Sequence, residues 1–383
     1  MYINTVPQQK HIRTACSIFF FISGFGYSSW ASRISTIQQQ LHLNEAQLGT
    51  VLFAMPVGLI LTLPLTKLLL KKHSSNKIML IGALAFNIIL CLPGFTNSIL
   101  QLMAVLFGFG ASRNLMNISM NGQSVAVQSF YKKSIITTFH GVWSMAGFAG
   151  AGVGYLMVAN NIGTHIHLPI VGGIMVLLAL FSYPHTLYQE PVPEKPRPVF
   201  SLPDKSVLGF ALICFACMAA ENVMYDWAII YFERSTATSS SFAITGFVVY
   251  MVFMTMGRFG GDLIVHRFGI VNIIKISGLL VFFGLLFASL WPTPWVIFPS
   301  FAMVGLGVSC IVPLIFSLAG KDKSANSASQ VASISTIGYL GFLVVPPSVG
   351  YLAQATSLRW SFGILSFLGM LIFILAINIK NKN

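Results

Sequence analysis

The chain has 383 residues, of which 55% are hydrophobic and only 8% are Asp, Glu, Lys or Arg. A water-soluble protein carries roughly 25% charged residues, so this composition excludes an ordinary soluble globular protein. The formal net charge is +13, and the membrane topology predicted below explains it without nucleic-acid binding.

Long apolar runs recur along the whole chain. About 20 apolar residues cross the hydrocarbon core of a bilayer as a helix, because lipid offers the backbone no hydrogen-bond partners. The sequence therefore predicts an all-α integral membrane protein. Twelve spans are predicted, at 14–32, 47–69, 77–96, 99–122, 134–158, 167–187, 206–231, 242–261, 271–291, 294–318, 328–352 and 360–379.

One connection is long and rich in proline and charge. Residues 188–205 form this predicted linker, which separates an N-terminal six-helix bundle (1–187) from a C-terminal six-helix bundle (206–383). Two six-helix halves are typical of secondary transporters built from structural repeats.

The distribution of positive charge predicts the orientation. Of the 22 Lys and Arg residues, only Arg33, Arg234 and Arg359 fall in predicted outer segments, and Arg113 lies inside a span. Cytoplasmic loops carry an excess of Lys and Arg, so both termini are expected in the cytoplasm. His165 and His167 are expected in a polar outer loop.

The fourth predicted span carries a polar stripe. Arg113, Asn117 and Asn121 recur at four-residue steps, which places them on one helix face. A polar face is expected to point toward a water-accessible cavity; for Asn121, hydrogen bonding between helices is an equal alternative. A guanidinium at this depth needs a counter-charge or water, and its planar fork suits carboxylates or paired hydroxyls.

The fifth predicted span offers a histidine and an indole on one face, His140 and Trp143. A histidine can change its charge near neutral pH, and an indole can stack on a sugar ring or another flat apolar face. A histidine that only satisfies a local hydrogen bond is the alternative.

Two acids lie within the seventh predicted span. They are Glu221 and Asp226, whereas the other seven of the nine acids fall in loops or at span ends. Burial favours the protonated form of a carboxyl and a nearby cation opposes it, so such a group can couple proton entry to transport. Glu221 is the deeper candidate, and Asp226 could instead hold a gate or a helix contact through Arg33. The two lie about 140° apart on a helical wheel, so different partners are expected.

A glycine, acid and base pattern follows the eighth predicted span. The segment 257–269 resembles the loop signature of the major facilitator superfamily. Its glycines would allow close helix contact, and Asp262 could cap a helix or pair with Arg258 or Arg267. We expect a conformational latch at the cytoplasmic face, formed by Gly257, Arg258, Gly261, Asp262 and Arg267.

Further segments resemble one branch of that superfamily, the bacterial permeases related to fucose–proton symporters. These segments are Trp30 to Arg33, Asn117 to Asn121, Phe139-His140 leading to Ser144 and Gly147, Glu221 with Asp226-Trp227, and Gly338 to Phe342 with Pro346-Pro347. The resemblance implies the major facilitator fold. It adds Trp227 and Tyr339 to the candidate substrate contacts, although Tyr339 beside Gly338 could equally be a packing residue.

The chain departs from that branch at one position. Relatives commonly have a carboxylate where this chain has Asn117, and an amide cannot titrate. Either the seventh helix therefore carries the whole proton-coupling task, with His140 as a further candidate, or the protein is a uniporter.

Together these features predict a secondary active transporter of a small polar solute, sugar-like or a related metabolite. It would work by alternating access as a proton symporter. Proton-driven efflux of amphipathic compounds is the alternative, which 32 Phe and 16 Met residues would allow; a receptor would need a signalling domain. No GxxxxGK[ST] loop occurs, and no enzyme activity, cofactor, metal or nucleic acid is expected. The expected partners are the solute, protons and the lipid bilayer, for a monomer in a bacterial cytoplasmic (inner) membrane.

Overall fold

The structure is a computed structural model that describes residues 6–131, 135–189, 207–320 and 327–379, without the side chains of residues 6, 7, 262, 320, 327–329, 331 and 332. The described residues form helices joined by short connections, and no strand occurs among them. The α-helices are α1 (Val6–Ala31), α2 (Ile34–Gln40), α3 (Glu45–Leu61), α4 (Leu63–Lys72), α5 (Ser75–Leu90), α6 (Ile99–Gln128), α7 (Ile136–Ala159), α8 (Thr164–Ser182), α9 (Leu208–Asp226), α10 (Ala228–Thr236), α11 (Ser240–Phe268), α12 (Ile270–Leu290), α13 (Pro294–Val308), α14 (Ile311–Gly320), α15 (Ser327–Ala355) and α16 (Leu358–Ile377). Two 3₁₀ turns, Pro93–Phe95 and Tyr183–His185, follow α5 and α8.

Eleven helical segments of the described chain are long and apolar enough to cross a membrane. They correspond to the second to twelfth predicted spans. The first predicted span corresponds to α1, which has 26 residues and so exceeds the length needed to cross. Its buried serines, Ser23, Ser28 and Ser29, make it less apolar than the other segments. The predicted all-α multi-pass membrane architecture is confirmed.

Polar residues at the helix starts explain where several spans begin. Asn44 accepts a hydrogen bond from the backbone N–H of Gln47 (2.8 Å), and the Gln47 side chain accepts one from the Asn44 N–H (3.0 Å). This reciprocal capping satisfies two donors that a helix start leaves free. Ser98 likewise accepts from the backbone N–H of Gln101 at the start of α6.

Three spans that the sequence predicts as continuous are interrupted in the structure. The interruptions lie at Thr62 between α3 and α4, at Trp227 between α9 and α10, and at Ser309-Cys310 between α13 and α14. Pro64 and Pro313 lie in the first turn of the helix that follows their break, where a missing N–H costs little. Such breaks free backbone carbonyl groups inside a membrane protein, and other groups must then satisfy them.

The chain divides into two compact units. The first comprises Met1–His42 and Ala54–Arg197. In it α1 packs along α7, and α5 packs along α6. The α1–α7 contact is close because of glycine: a methyl group at Gly150 would come within 2.6 Å of the carbonyl oxygen of Phe25. Small residues permit this approach between membrane helices.

The second unit comprises Leu43–Phe53 and Pro198–Asn383. In it α9 packs along α15, and α12 packs along α13 and α16. Glu45 forms an ion pair with Arg234 in this unit. The sequence assigns Leu43–Phe53 to the N-terminal bundle, whereas this segment clusters with the second unit. Most of the predicted linker, residues 190–205, lies outside the described residues.

Candidate functional site

The polar stripe of α6 is arranged around an arginine in the first unit. The guanidinium carbon of Arg113 lies 3.7 Å from the ring centroid of Tyr27 on α1. This distance is typical of a close cation–π contact. The Nε atom of Arg113 is buried and has no hydrogen-bond acceptor among the described residues. The cation is therefore held mainly by an aromatic face.

A serine on α1 connects two of the predicted site residues, Asn117 on α6 and Trp143 on α7. The hydroxyl of Ser23 donates to the side-chain oxygen of Asn117 (3.4 Å) and accepts from the indole N–H of Trp143 (3.3 Å). Both bonds are long, so each contributes little alone. They nevertheless bring α1, α6 and α7 together at one polar point next to the Arg113–Tyr27 pair.

Two further predicted residues of the first unit are more exposed. Asn121 donates to the carbonyl oxygen of Asn117 on its own helix (2.8 Å) and is exposed. His140 is also exposed, and its ring lies edge-on to that of Phe20, with the centroids 5.4 Å apart. Both stay predictions as functional residues.

The sequence reasoning missed Ser23 and Tyr27. They lie four residues apart, so they share a face of α1. Two polar side chains at helical spacing inside the first apolar run were the available signal, comparable to the stripe noticed on α6.

In the second unit, Glu221 of α9 forms an ion pair with Arg258 of α11. Glu221 Oε1 and Arg258 Nη2 lie 3.5 Å apart, and the two side chains are only 13% and 16% exposed. Arg258 also donates from Nε to the carbonyl oxygen of Ser309 (3.4 Å), at the break between α13 and α14. One guanidinium thus connects the acid to a carbonyl group that the break frees.

The other predicted acid has a different partner, as the wheel angle indicates. Asp226 is buried and accepts from the side-chain amide of Asn222 at 2.9 Å. Arg33 donates to His167 Nδ1 (2.9 Å) and to the carbonyl oxygen of Ile162 (2.8 Å), and the suggested contact between Asp226 and Arg33 stays a prediction. Arg33 follows the C-terminal end of α1, and its acceptors on His167 and Ile162 lie in the same unit.

Two aromatic candidates of the second unit differ in exposure. Trp227 is completely buried at the break after α9, which favours a packing role over the predicted substrate contact. Tyr339 of α15 is 37% exposed, so its side chain is accessible.

The predicted latch is helical. Residues 257–268 all lie in α11, so Asp262 is inside a helix and not at a helix N-terminus; its side chain lies outside the described residues. Arg258 faces Glu221, whereas Arg267 is exposed, with its guanidinium carbon 5.5 Å from the ring centroid of Phe268. Nine residues of α-helix correspond to a rotation of about 180°, which explains why the two arginines point differently.

The glycines of this segment allow close packing on the α13–α14 break. A methyl group at Gly257 would collide with side-chain atoms of Ser309. A methyl group at Gly261 would lie 2.5 Å from Cys310 Sγ. The predicted close helix contact at these glycines is therefore present within the second unit.

Sequence comparison decides the family. The profile of the Major Facilitator Superfamily matches residues 16–339. The chain belongs to the major facilitator superfamily. An uncharacterised MFS-type transporter of Yersinia pestis is 31% identical over 365 residues, which cover 95% of this chain and 93% of the relative.

Solved structures share the superfamily fold. A point mutant of the nucleoside transporter NupG superposes with a TM-score of 0.77 at 16% identity, over 96% of this chain and all of NupG. A D-xylose–proton symporter gives the same TM-score at 14% identity, over 97% of this chain and 98% of the symporter. At this identity the likeness shows the fold, and this member of the superfamily is a multi-pass membrane transporter.

Proposed function

We propose that this transporter is a proton symporter of a small polar solute, sugar-like or a related metabolite, and that it works by alternating access. The observation that carries the proposal is the Glu221–Arg258 ion pair. Both groups lie in membrane-spanning helices, where ionisable residues are costly and mark ion or substrate pathways.

The pair gives a physical route for coupling. While Glu221 is ionised, Arg258 holds α11 to α9 through a charge-assisted contact. A proton on Glu221 removes the negative charge, and Arg258 keeps the carbonyl oxygen of Ser309 as an acceptor. Protonation would therefore change how α9, α11 and the α13–α14 break are held together, in a unit where discontinuous helices are already present. Discontinuous helices form ion and substrate sites in many transporters.

The substrate class is supported by the first unit. Arg113, Asn117, Ser23 and Trp143 offer a cation, an amide, a hydroxyl and an indole. The contacts of Ser23 with Asn117 and Trp143 join α1, α6 and α7, and Arg113 lies over the ring of Tyr27. Donors and a flat ring of this kind suit a polar solute. The two structural neighbours are named for a nucleoside and for D-xylose, which are small polar molecules.

The remaining assignments belong to the same proposal. The motif around Glu221 and Asp226-Trp227 supports placement in the branch of the fucose–proton symporters. The excess of Lys and Arg in alternate loops supports cytoplasmic termini in a bacterial inner membrane. The proposal also includes two six-helix bundles, at 1–187 and 206–383, with the linker 188–205 between them. It includes a monomeric state and a conformational latch formed by Gly257, Arg258, Gly261, Asp262 and Arg267.

Transport by the reconstituted protein tests this function. Purified protein is first screened by thermal shift against sugars, polyols, nucleosides, amino acids and small acids, since a bound ligand raises apparent stability. Each hit is then measured in proteoliposomes with an acidic outside. We expect the solute to accumulate against its own gradient and to exchange in counterflow. An internal solute concentration that never exceeds the external one would indicate a uniporter. Proton-driven extrusion of amphipathic compounds would indicate an efflux transporter. Either result contradicts the proposal.

A further inference from the structure

The cation on α6 forms no ion pair with any described residue. Among the described residues Arg113 forms no ion pair, and its buried Nε has no acceptor. The ring of Tyr27 covers one face of the guanidinium. An aromatic face attracts a cation, but it supplies no hydrogen-bond acceptor in the plane of the N–H groups.

The described part of the first unit cannot provide the missing charge. Residues 1–42 and 54–189 contain neither Asp nor Glu. One turn along this helix lies Asn117, an amide without charge, and its side-chain oxygen accepts from Ser23. Arg113 thus lies in a membrane-spanning helix with an uncompensated positive charge among the residues that the structure describes.

Two other arginines with little exposed surface have hydrogen-bond acceptors. Arg33 has the Nδ1 atom of His167 and the carbonyl oxygen of Ile162 as acceptors. Arg258 has the Glu221 carboxylate and the carbonyl oxygen of Ser309. Arg113 differs from both, because its buried Nε has no acceptor among the described residues.

We infer that the transported solute carries a carboxylate and that Arg113 binds it; this inference rests on the proposed transport function. The fork of a guanidinium matches a carboxylate in two parallel hydrogen bonds, and the Tyr27 ring fixes the plane of the fork. The solute supplies the counter-charge that the surroundings of Arg113 lack.

The polar groups one turn away define the rest of the solute. Arg113 and Asn117 are separated by four residues, or about 6 Å along the helix axis. Asn117, Ser23 and Trp143 can hydrogen-bond hydroxyl groups, and the indole offers a flat surface to a sugar ring or carbon chain. A polyhydroxy acid such as a sugar acid, with hydroxyls about 6 Å from its carboxylate, fits this spacing.

Co-transport of a proton suits a solute of this charge. A carboxylate entering a cell with an inside-negative membrane meets an opposing potential. One proton carried on Glu221 with each monoanion makes the cycle electroneutral. The charge of the solute and the presence of a titratable acid in the second unit are therefore consistent with each other.

Pairs of solutes that differ only in the acid group test the inference. The probes are gluconate with glucitol, glucuronate with glucose, and galacturonate with galactose. We expect thermal stabilisation and counterflow with an acid, and none with its neutral counterpart. Stabilisation by the neutral members alone would overturn the inference while leaving proton symport intact.

Variants of the arginine separate charge from geometry. For an acid that binds, Arg113→Gln is expected to raise Kd at least about tenfold, which is roughly the effect of one charge-assisted hydrogen bond. Arg113→Lys keeps the charge without the fork, so its Kd should lie between those of the parent protein and Arg113→Gln. Arg359→Gln removes an exposed arginine that donates to backbone carbonyls of the second unit, and it should leave Kd unchanged. An Arg113→Gln protein that binds the acid normally would contradict the inference.

Asn117→Asp keeps the test decisive if the arginine variants fail to fold. It places a carboxylate one turn from Arg113, which would supply the counter-charge from within the unit. We expect this variant to melt higher than the parent protein and to bind the acid at least about tenfold more weakly. Unchanged affinity for the acid would overturn the inference. Loss of proton-driven accumulation with acid binding retained would instead refute only the proposed symport.

Discussion

The carboxylate of Glu221 and the guanidinium of Arg258 lie 3.5 Å apart, on helices α9 and α11. The sequence suggests separate roles for them, a proton site and a cytoplasmic latch. Their contact means that a change in the charge of Glu221 is felt directly by a residue of the latch motif. The charge of Glu221 and the packing of α11 are therefore parts of one arrangement in the second unit.

The hydroxyl of Ser23 is expected to support solute affinity. Ser23→Ala removes the bonds to Asn117 and Trp143, each worth about 0.5–1.5 kcal/mol at most, so KM should rise several-fold with little change in kcat. Uptake kinetics in proteoliposomes measure this. Ser29→Ala is the control, because the Ser29 hydroxyl donates to the carbonyl oxygen of Phe25 on the same helix. Equal KM values for the two variants would refute a role for Ser23.

The ring of Tyr27 is expected to stabilise Arg113. Tyr27→Leu removes the cation–π contact, which is worth about 1–2 kcal/mol when partly desolvated, whereas Tyr27→Phe keeps the ring. A double-mutant cycle with Arg113→Gln, read by thermal unfolding in detergent, isolates the pair. We predict a coupling energy of about 1 kcal/mol for the leucine variant. Strictly additive effects would show that the ring does not hold the cation.

Close packing of α1 on α7 is expected to depend on Gly24. A methyl group there collides with the carbonyl oxygen of Trp143, so Gly24→Ala should lower stability by about 1–3 kcal/mol, the usual cost of overpacking. It should also displace Trp143 and reduce uptake.

The matched control for this packing prediction is Gly152→Ala on α7, because nothing lies within 4 Å of the added methyl group. Comparable melting temperatures for Gly24→Ala and Gly152→Ala would show that α1 and α7 can move apart without loss of stability.

The Arg33–His167 contact is expected to stabilise the first unit. Burial lowers the pKa of Arg33 to about 10, so at neutral pH this turn residue keeps its charge and needs acceptors. His167→Leu removes one and should cost about 1–3 kcal/mol, whereas His167→Gln keeps an acceptor and should restore part of that loss. Thermal unfolding distinguishes the two, and equal destabilisation by both substitutions would contradict the prediction.

Local periodicity allowed much of the architecture to be predicted. Apolar runs long enough to cross a bilayer identified the spans, and four-residue spacing placed Arg113 and Asn117 on one face of α6. The interruptions at Trp227 and Ser309 were not visible, because the apolar runs continue through them and only the backbone conformation ends the helix.

Contacts between distant parts of the chain could not be predicted in the same way. Glu221 and Arg258 are 37 residues apart, and Arg33 and His167 are 134 apart. The packing of helices, and not spacing along the chain, brings these groups together. Sequence reasoning could therefore name charged candidates such as Arg33 and Glu221, but it did not predict the partners that the structure gives them.

The most direct test of the central claim is proton-driven uptake by Glu221→Gln in proteoliposomes with an acidic outside. The amide keeps the shape of the side chain but cannot bind and release a proton, so we predict that accumulation is abolished while solute counterflow persists. Glu233→Gln, which removes an acid that accepts from Ser240 at the end of α10, should accumulate solute normally. Undiminished accumulation by Glu221→Gln would contradict the account.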